Sequence, residues 1–301
     1  MPMLERIETA LTKHLARADS PSSPPQLVMA MHHAVFPGGA RIRPQLCLAV
    51  SLACGDNAPE LTNAAACAIE LMHCASLVHD DMPCFDDADT RRGQVAVHKA
   101  FGEPLALLCG DALIVQAYQC LLQTPSAHPE RTLALMQLIS DSVGAPDGIV
   151  AGQAWECETR VELSQYQRAK TGALFVASTC AGALANGADP QAWRGLGEAL
   201  GEAYQVADDI RDVLGDVASL GKPAGQDVLN ARPSSAQALG LEGAIHHFDS
   251  LIAKAGDSIP DCNCRDMLKQ LVLHESERLV PKSMCEDYRK QAALAKAVKW
   301  A

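Results

Sequence analysis

Aromatic side chains are scarce in this chain: Phe, Trp and Tyr together make up 4%. Ala and Leu dominate instead, a composition that favours helix over sheet. No alternating run of useful strand length occurs, nor a low-complexity tract, nor an exact internal repeat. No run approaches the ~18 continuous apolar residues of a membrane span. The opening stretch MPMLERIETALTKHLARA is amphipathic and lacks the apolar segment of a secretory signal. Positive charge is in deficit, with 25 Lys and Arg against 36 Asp and Glu, a formal −11. That balance argues against nonspecific binding to nucleic acid or to an anionic membrane. It would also repel an anionic substrate unless metal ions and local cations reverse the field.

What is present points to a packed protein. Hydrophobic residues are 48% and charged residues 20% of 301, neither disordered nor fibrous. The 12 cysteines are scattered, mostly within apolar stretches such as those holding Cys67, Cys74 and Cys180. Buried thiols in a reducing cytoplasm are the expectation. Cys262 and Cys264 form the one close pair; no second pair stands at zinc spacing, so it reads as an inert loop.

Helices are predicted over 3–18, 26–35, 45–54, 60–79, 104–123 (interrupted at Gly110-Asp111), 130–143, 163–185, 190–214, 234–255, 263–279 and 282–299. Thr62 and Ser164 are candidate caps. PGGARIRP at 37–44 breaks the second helix from the third, and 219–233 reads as a Gly/Pro-rich loop. The fold class that follows is all-α, an antiparallel helical bundle around a central substrate cavity, with residues 1–301 forming one domain.

The stretch ELMHCASLVHDDMPCFDDADTRRG, residues 70–93, carries the chemistry. Asp80, Asp81, Asp86 and Asp87 repel one another on a largely apolar helix, and hard divalent cations, above all Mg²⁺, suit such oxygen ligands. His73, Leu77, Asp80 and Asp81 share a helix face. Far along the chain Gln205, Asp208, Asp209 and Asp212 make a second polar stripe at i, i+3, i+4 and i+7. Facing stripes could bridge Mg²⁺ ions that bind a diphosphate. Arg43, Arg91, Arg92, Lys170, Lys222 and Arg232 supply cations suited to phosphate oxygens. Below the aspartates, Ala75 and Ser76 lie roughly 6–8 Å along the helix axis, leaving a small, apolar passage for a hydrocarbon tail.

In order, GGARIRP, HDDMPCFDDADTRRG, GDAL, AKTGALF, QVADDIRDVLGD and LGKPAGQD resemble the trans-isoprenyl diphosphate synthase (polyprenyl synthetase) family over nearly the whole chain, and most of all its bacterial carotenoid-pathway, geranylgeranyl-forming members. The resemblance implies Mg²⁺-dependent, head-to-tail condensation of isopentenyl diphosphate with an allylic diphosphate. Asp80, Asp81 and Asp86 match the first aspartate motif, and Asp208, Asp209 and Asp212 the second. Asp80, Asp86 and Asp208 are the expected direct ligands, of roughly three Mg²⁺ ions per site. Arg91, Lys170, Lys222 and Arg232 would hold the allylic diphosphate; Arg43, His73 and Arg92 the isopentenyl diphosphate. Thr171 and Gln205 would place oxygen dipoles near the developing carbocation. A homodimer with 104–123 at its interface is also implied. Farnesyl-forming members carry an aromatic residue where Ala75 or Ser76 stands, so small side chains there imply a C20 product.

Two positions depart from the family's pattern. Ala40 stands where the family usually has a Lys contacting isopentenyl diphosphate, leaving that charge to Arg41 or Arg43. Arg211 occupies a commonly apolar position and is expected to face solvent or a neighbouring acid. Other classes remain open on sequence alone: farnesyl diphosphate synthase, an enzyme of terpene cyclase or phosphohydrolase type using the aspartates without a second substrate, or a noncatalytic, regulatory subunit of a heteromeric prenyl synthase.

Overall fold

A computed structural model describes residues 2–36, 38–125, 127–214, 235–285 and 288. Lys222, Arg232, the 219–233 loop and nearly all of the 282–299 helix beyond residue 285 lie outside the described residues. In chain order the helices are α1 Met3–Leu15, α2 Pro25–Val35, α3 Ile42–Ala53, α4 Pro59–Asp80, α5 Val97–Phe101, α6 Glu103–Leu122, α7 Pro129–Val143, α8 Ile149–Ala154, α9 Leu163–Gln167, α10 Ala173–Ala185, α11 Gln191–Leu214, α12 Ser235–Asp257 and α13 Arg265–Leu279. Trp155–Cys157 forms a 3₁₀ turn and Arg168–Gly172 a π turn.

Helix α4 is the axis of the molecule. It packs against α6, α3, α10, α1 and α2, and residues such as Leu61, Ile69, Leu71 and Met72 are almost wholly buried. A helix enclosed on so many sides needs little amphipathic contrast. Two apolar clusters result. One gathers around α4 and α6 with α1, α2 and α7, and the other around α11 and α12 with α3, α10 and α13. Helices α3 and α10 contribute to both.

One carboxylate interrupts the buried length of α4. Glu70 is 1% exposed, and Arg41, 2% exposed, meets it at 2.6 Å. Arg41 also donates to Glu8 at 2.8 Å and to the Val35 carbonyl at 2.7 Å. Its backbone adopts φ 51°, ψ 33° as the residue just before α3, so the loop between α2 and α3 is locked onto α4. Of the two arginines that could replace the charge missing at position 40, Arg41 is thus part of the frame.

Several local expectations are corrected. Helix α3 starts at Ile42, three residues early, because Pro44 in a first turn has no N–H to satisfy. Helix α6 runs through Gly110-Asp111 unbroken; a Cβ at Gly110 would lie 2.1 Å from His79 Nε2, so glycine here permits close approach of α4. Thr62 caps nothing: its hydroxyl bonds the Ala58 carbonyl at 3.1 Å and Ser51 at 3.0 Å. Ser164 bonds Glu162, which itself precedes α9. A two-stranded hairpin, β1 Thr90–Arg91 with β2 Gln94–Val95, is also present. Two helices, α4 and α6, are long and apolar enough to cross a membrane by composition, although 78% of the α4 window is buried inside the fold.

Removing Glu70 should leave the buried Arg41 with only the more exposed Glu8 as a carboxylate partner. Glu70→Ala is expected to cost about 3–5 kcal/mol, measurable as a lowered urea midpoint.

Candidate active site

The C-terminal half of α4, the hairpin, the start of α3, the π turn and α11 converge on one cavity of about 370 Å³. Arg43, His73, Ser76, Asp80, Asp86, Arg91, Arg92, Lys170, Thr171, Gln205 and Asp208 all line it. Residues spread over most of the chain are thereby brought together as the sequence predicts.

The hairpin explains the RRG sequence. Register pairs Arg91 with Gln94, leaving Arg92 and Gly93 as a two-residue turn with φ 54° and 77°. Two positive φ values are the type I′ signature, and glycine takes the second at no steric cost. The turn sends the two guanidinium groups to different partners. Arg91 donates to Asp81 through Nε at 2.8 Å and through Nη2, which also lies 3.8 Å from Asp80 and 4.0 Å from Asp86. Arg92 approaches Glu70 at 3.8 Å and the Cys74 sulfur at 3.9 Å.

The acids of this segment therefore divide by environment. Asp80 and Asp86 open to the cavity, whereas Asp81 is 2% exposed and clamps Arg91 from behind. Burial pushes the Asp81 carboxyl above its ordinary range, against the pull of Arg91. Asp87 and Asp89 pair with Lys99 at the surface, at 3.1 and 3.3 Å.

Across the cavity the expected helix 163–185 is not regular. A π turn, with Ala173 N–H donating to the Arg168 carbonyl, carries Lys170 and Thr171. Such bulges recur at functional sites. Lys170 Nζ donates to Asp80 at 3.3 Å and to Glu156. Thr171 donates its hydroxyl proton to Gln205 Oε1 at 3.0 Å, and Gln205 Nε2 donates to Asp209 at 3.1 Å. With its proton engaged, the Thr171 oxygen retains lone pairs.

The second stripe splits as well. Asp208 lines the cavity and is paired with Arg211, which also faces the cavity. Asp209, 2% exposed, accepts the Ser235 N–H at 2.6 Å and so holds the start of α12. Asp212 and Ala75 do not line the cavity; Ala75 is 1% exposed within the first apolar cluster. The single face expected for the four α11 residues thus serves two purposes.

Glu156 was not singled out from the sequence. It accepts from Lys170, from Tyr166 Oη at 2.6 Å and from Gln153 at 3.2 Å. The only available signal was Gln153 and Glu156 three apart on one short turn. Tyr204 and Arg278 also line the cavity unannounced.

The carboxylate donor set of Asp80, Asp86 and Asp208 fits Mg²⁺, a hard cation that takes oxygen ligands through one or two carboxylates plus phosphate. Lys170 and Arg91 already stand on the first two as counter-charges, and Arg211 on the third. Among the described residues no group of three or more His, Cys, Asp or Glu would hold a metal alone.

His73 is the neutral member of the site. Burial first, then Arg43, Arg92, Arg91 and Arg41, hold its imidazole well below the usual range. Because this folded value is depressed, protonation favours the unfolded chain, and stability falls as pH drops below ~6.5. The His73 Cε1 proton resonance is expected to stay flat from pH 8 to 6 in an NMR titration. A transition centred near pH 6.5 would overturn this reading.

Comparison with known proteins identifies the family. A family model described as polyprenyl synthetase matches residues 24–261. The geranylgeranyl diphosphate synthase of Cereibacter sphaeroides is 50% identical over 281 residues, 93% of this chain and 98% of that protein. That of Rhodobacter capsulatus is 49% identical over 272 residues, 90% and 94% of the two chains. Among solved structures, a geranyltransferase from Helicobacter pylori complexed with magnesium and isoprenyl diphosphate superposes with TM-score 0.76 at 28% identity, covering 91% of this chain and 97% of that one. Matched in motif order, in fold and over most of its length, the chain belongs to the polyprenyl synthetase family.

Proposed function

We propose that the chain is a Mg²⁺-dependent prenyltransferase that joins isopentenyl diphosphate to an allylic diphosphate and forms geranylgeranyl diphosphate. The observation that carries this is one cavity in which Asp80, Asp86 and Asp208 stand among Arg43, Arg91, Arg92 and Lys170, with Ser76, Leu77 and Ile149 also on its wall. Identity of 49–50% to two geranylgeranyl diphosphate synthases, over 90% or more of this chain, supports the C20 product.

Each residue has a role that its surroundings support. Mg²⁺ held by Asp80, Asp86 and Asp208 would supply charge neutralisation for the leaving diphosphate, and about three ions suit three carboxylates and two phosphoryl groups. Lys170 and Arg91, now shared with those carboxylates, would donate to the same diphosphate. As the allylic C1–O bond breaks heterolytically, negative charge builds where these donors converge, the electrostatic effect expected to dominate. Thr171 and Gln205 would turn oxygen dipoles toward the cation left behind. The double bond of isopentenyl diphosphate, placed by Arg43, Arg92 and neutral His73, attacks that C1. The new cation then loses a proton to the released diphosphate, so no protein base is required.

The whole of 1–301 reads as one synthase domain, supported by a family match over 24–261 and by apolar clusters that carry residues on either side of it into the same core. A homodimer through α6 is supported by Leu107, Leu108, Val115 and Leu122, each 49–62% exposed. Twelve free thiols, seven of them buried, support a cytoplasmic location.

Incubation with Mg²⁺, isopentenyl diphosphate and C5, C10 or C15 primers should yield C20 product, and chelation should abolish it. Turnover without divalent ions would sink the metal assignment. Ser76→Phe should shift the profile toward C15; an unchanged profile would remove Ser76 as the passage wall. Val115→Glu is expected to convert dimer to monomer in sedimentation runs, and a monomeric native chain would refute the interface.

A further inference from the structure

Seven cationic side chains line the cavity: Arg41, Arg43, Arg91, Arg92, Lys170, Arg211 and Arg278. Most are committed. Arg91 and Lys170 stand on the first aspartates, Arg211 on Asp208, and Arg41 is locked between Glu8, Glu70 and Val35. On the side assigned above to isopentenyl diphosphate, His73 is uncharged. Arg43 and Arg92 are then left to hold a group carrying at least two negative charges, and Arg92 is partly offset by Glu70 at 3.8 Å. Position 40, which also lines the cavity, is alanine.

Arg278 lies at the end of α13, lines the cavity and is held in place there. Its Nε donates to Glu275 at 2.9 Å, and its Nη2 lies 2.8 Å from both Glu275 and the Tyr204 oxygen. Tyr204 donates to Glu275 at 2.7 Å, which is 4% exposed. The Tyr204 ring is tilted 45° against Phe175, with centroids 4.5 Å apart, and the Arg43 guanidinium lies 4.5 Å over Phe175. Arg43 and Arg278 thus flank one aromatic pair. Arg278 Nη1 has no partner among the described residues, and the buried Arg43 Nε has none either. Two held guanidinium groups with unused donors, lining one cavity beside the same aromatic pair, match a phosphoryl group better than a mobile lysine would.

We infer that Arg278 is a binding residue for the diphosphate of isopentenyl diphosphate, supplying from α13 the cationic donors that position 40 lacks. This rests on the condensation reading above. The test compares the native chain with Arg278→Gln, Arg278→Lys, Ala40→Lys and the double variant Ala40→Lys/Arg278→Gln, each varied in one substrate at saturating levels of the other. Arg278→Gln should raise the KM for isopentenyl diphosphate about tenfold or more while the allylic KM stays within about twofold. Adding Ala40→Lys should recover most of that loss. If the glutamine variant does not fold, Arg278→Lys, which retains a charge beside Glu275, should still raise the isopentenyl KM severalfold. An unchanged isopentenyl KM, an equal rise for both substrates, or no recovery by Ala40→Lys would overturn the inference. Absence of any condensation by the native chain would instead refute the underlying reaction.

Discussion

Negative charge concentrated at the end of a buried helix has to be answered within a few ångströms, and that requirement organises the molecule. At an effective dielectric near 20, two unit charges 4 Å apart interact by about 4 kcal/mol, so Asp80, Asp81 and Asp86 could not sit together unanswered. Arg91 and Lys170 reach them from a hairpin and a π turn that lie far apart in the chain. Once those cations are fixed, so are the loops that carry them. The same balance that keeps the acidic cluster folded gives a site able to exchange its own counter-charges for those of metal and diphosphate.

Within each motif, burial sorts chemically identical side chains into two jobs. Asp81 and Asp209 are each 2% exposed and hold other residues, Arg91 in one case and the first turn of α12 in the other. Asp80 and Asp208, their immediate neighbours, face the cavity. Adjacent positions on a helix point about 100° apart, so a doubled aspartate presents one carboxylate to ligand and one to protein. The pairing reads as a functional group with its own support attached.

Much of this was legible in the sequence because it is written in local spacing. Helix periodicity gave the all-α class, and the ordered acidic and basic motifs gave eleven cavity residues. What was not legible depends on partners remote in the chain. Glu156 matters because Lys170 and Tyr166 arrive beside it, and Arg41 is structural because Glu70 and Glu8 do. The hairpin strands are two residues long, too short to alternate visibly. The π turn is invisible to a 3.6-residue pattern, since one extra residue per bulge leaves the apolar character of both flanks intact.

That extra residue has a consequence for how the enzyme can vary. A regular helix ties the orientation of every side chain to all the others, so turning one face toward a substrate turns the rest away from their packing. The bulge at Arg168–Gly172 works as a swivel between two helical segments. Upstream, α9 is aligned to Glu156 and the cavity; downstream, α10 is aligned to the interior it shares with α3 and α11. Side chains serving the ligand can therefore drift in sequence without disturbing the angular setting of the buried half.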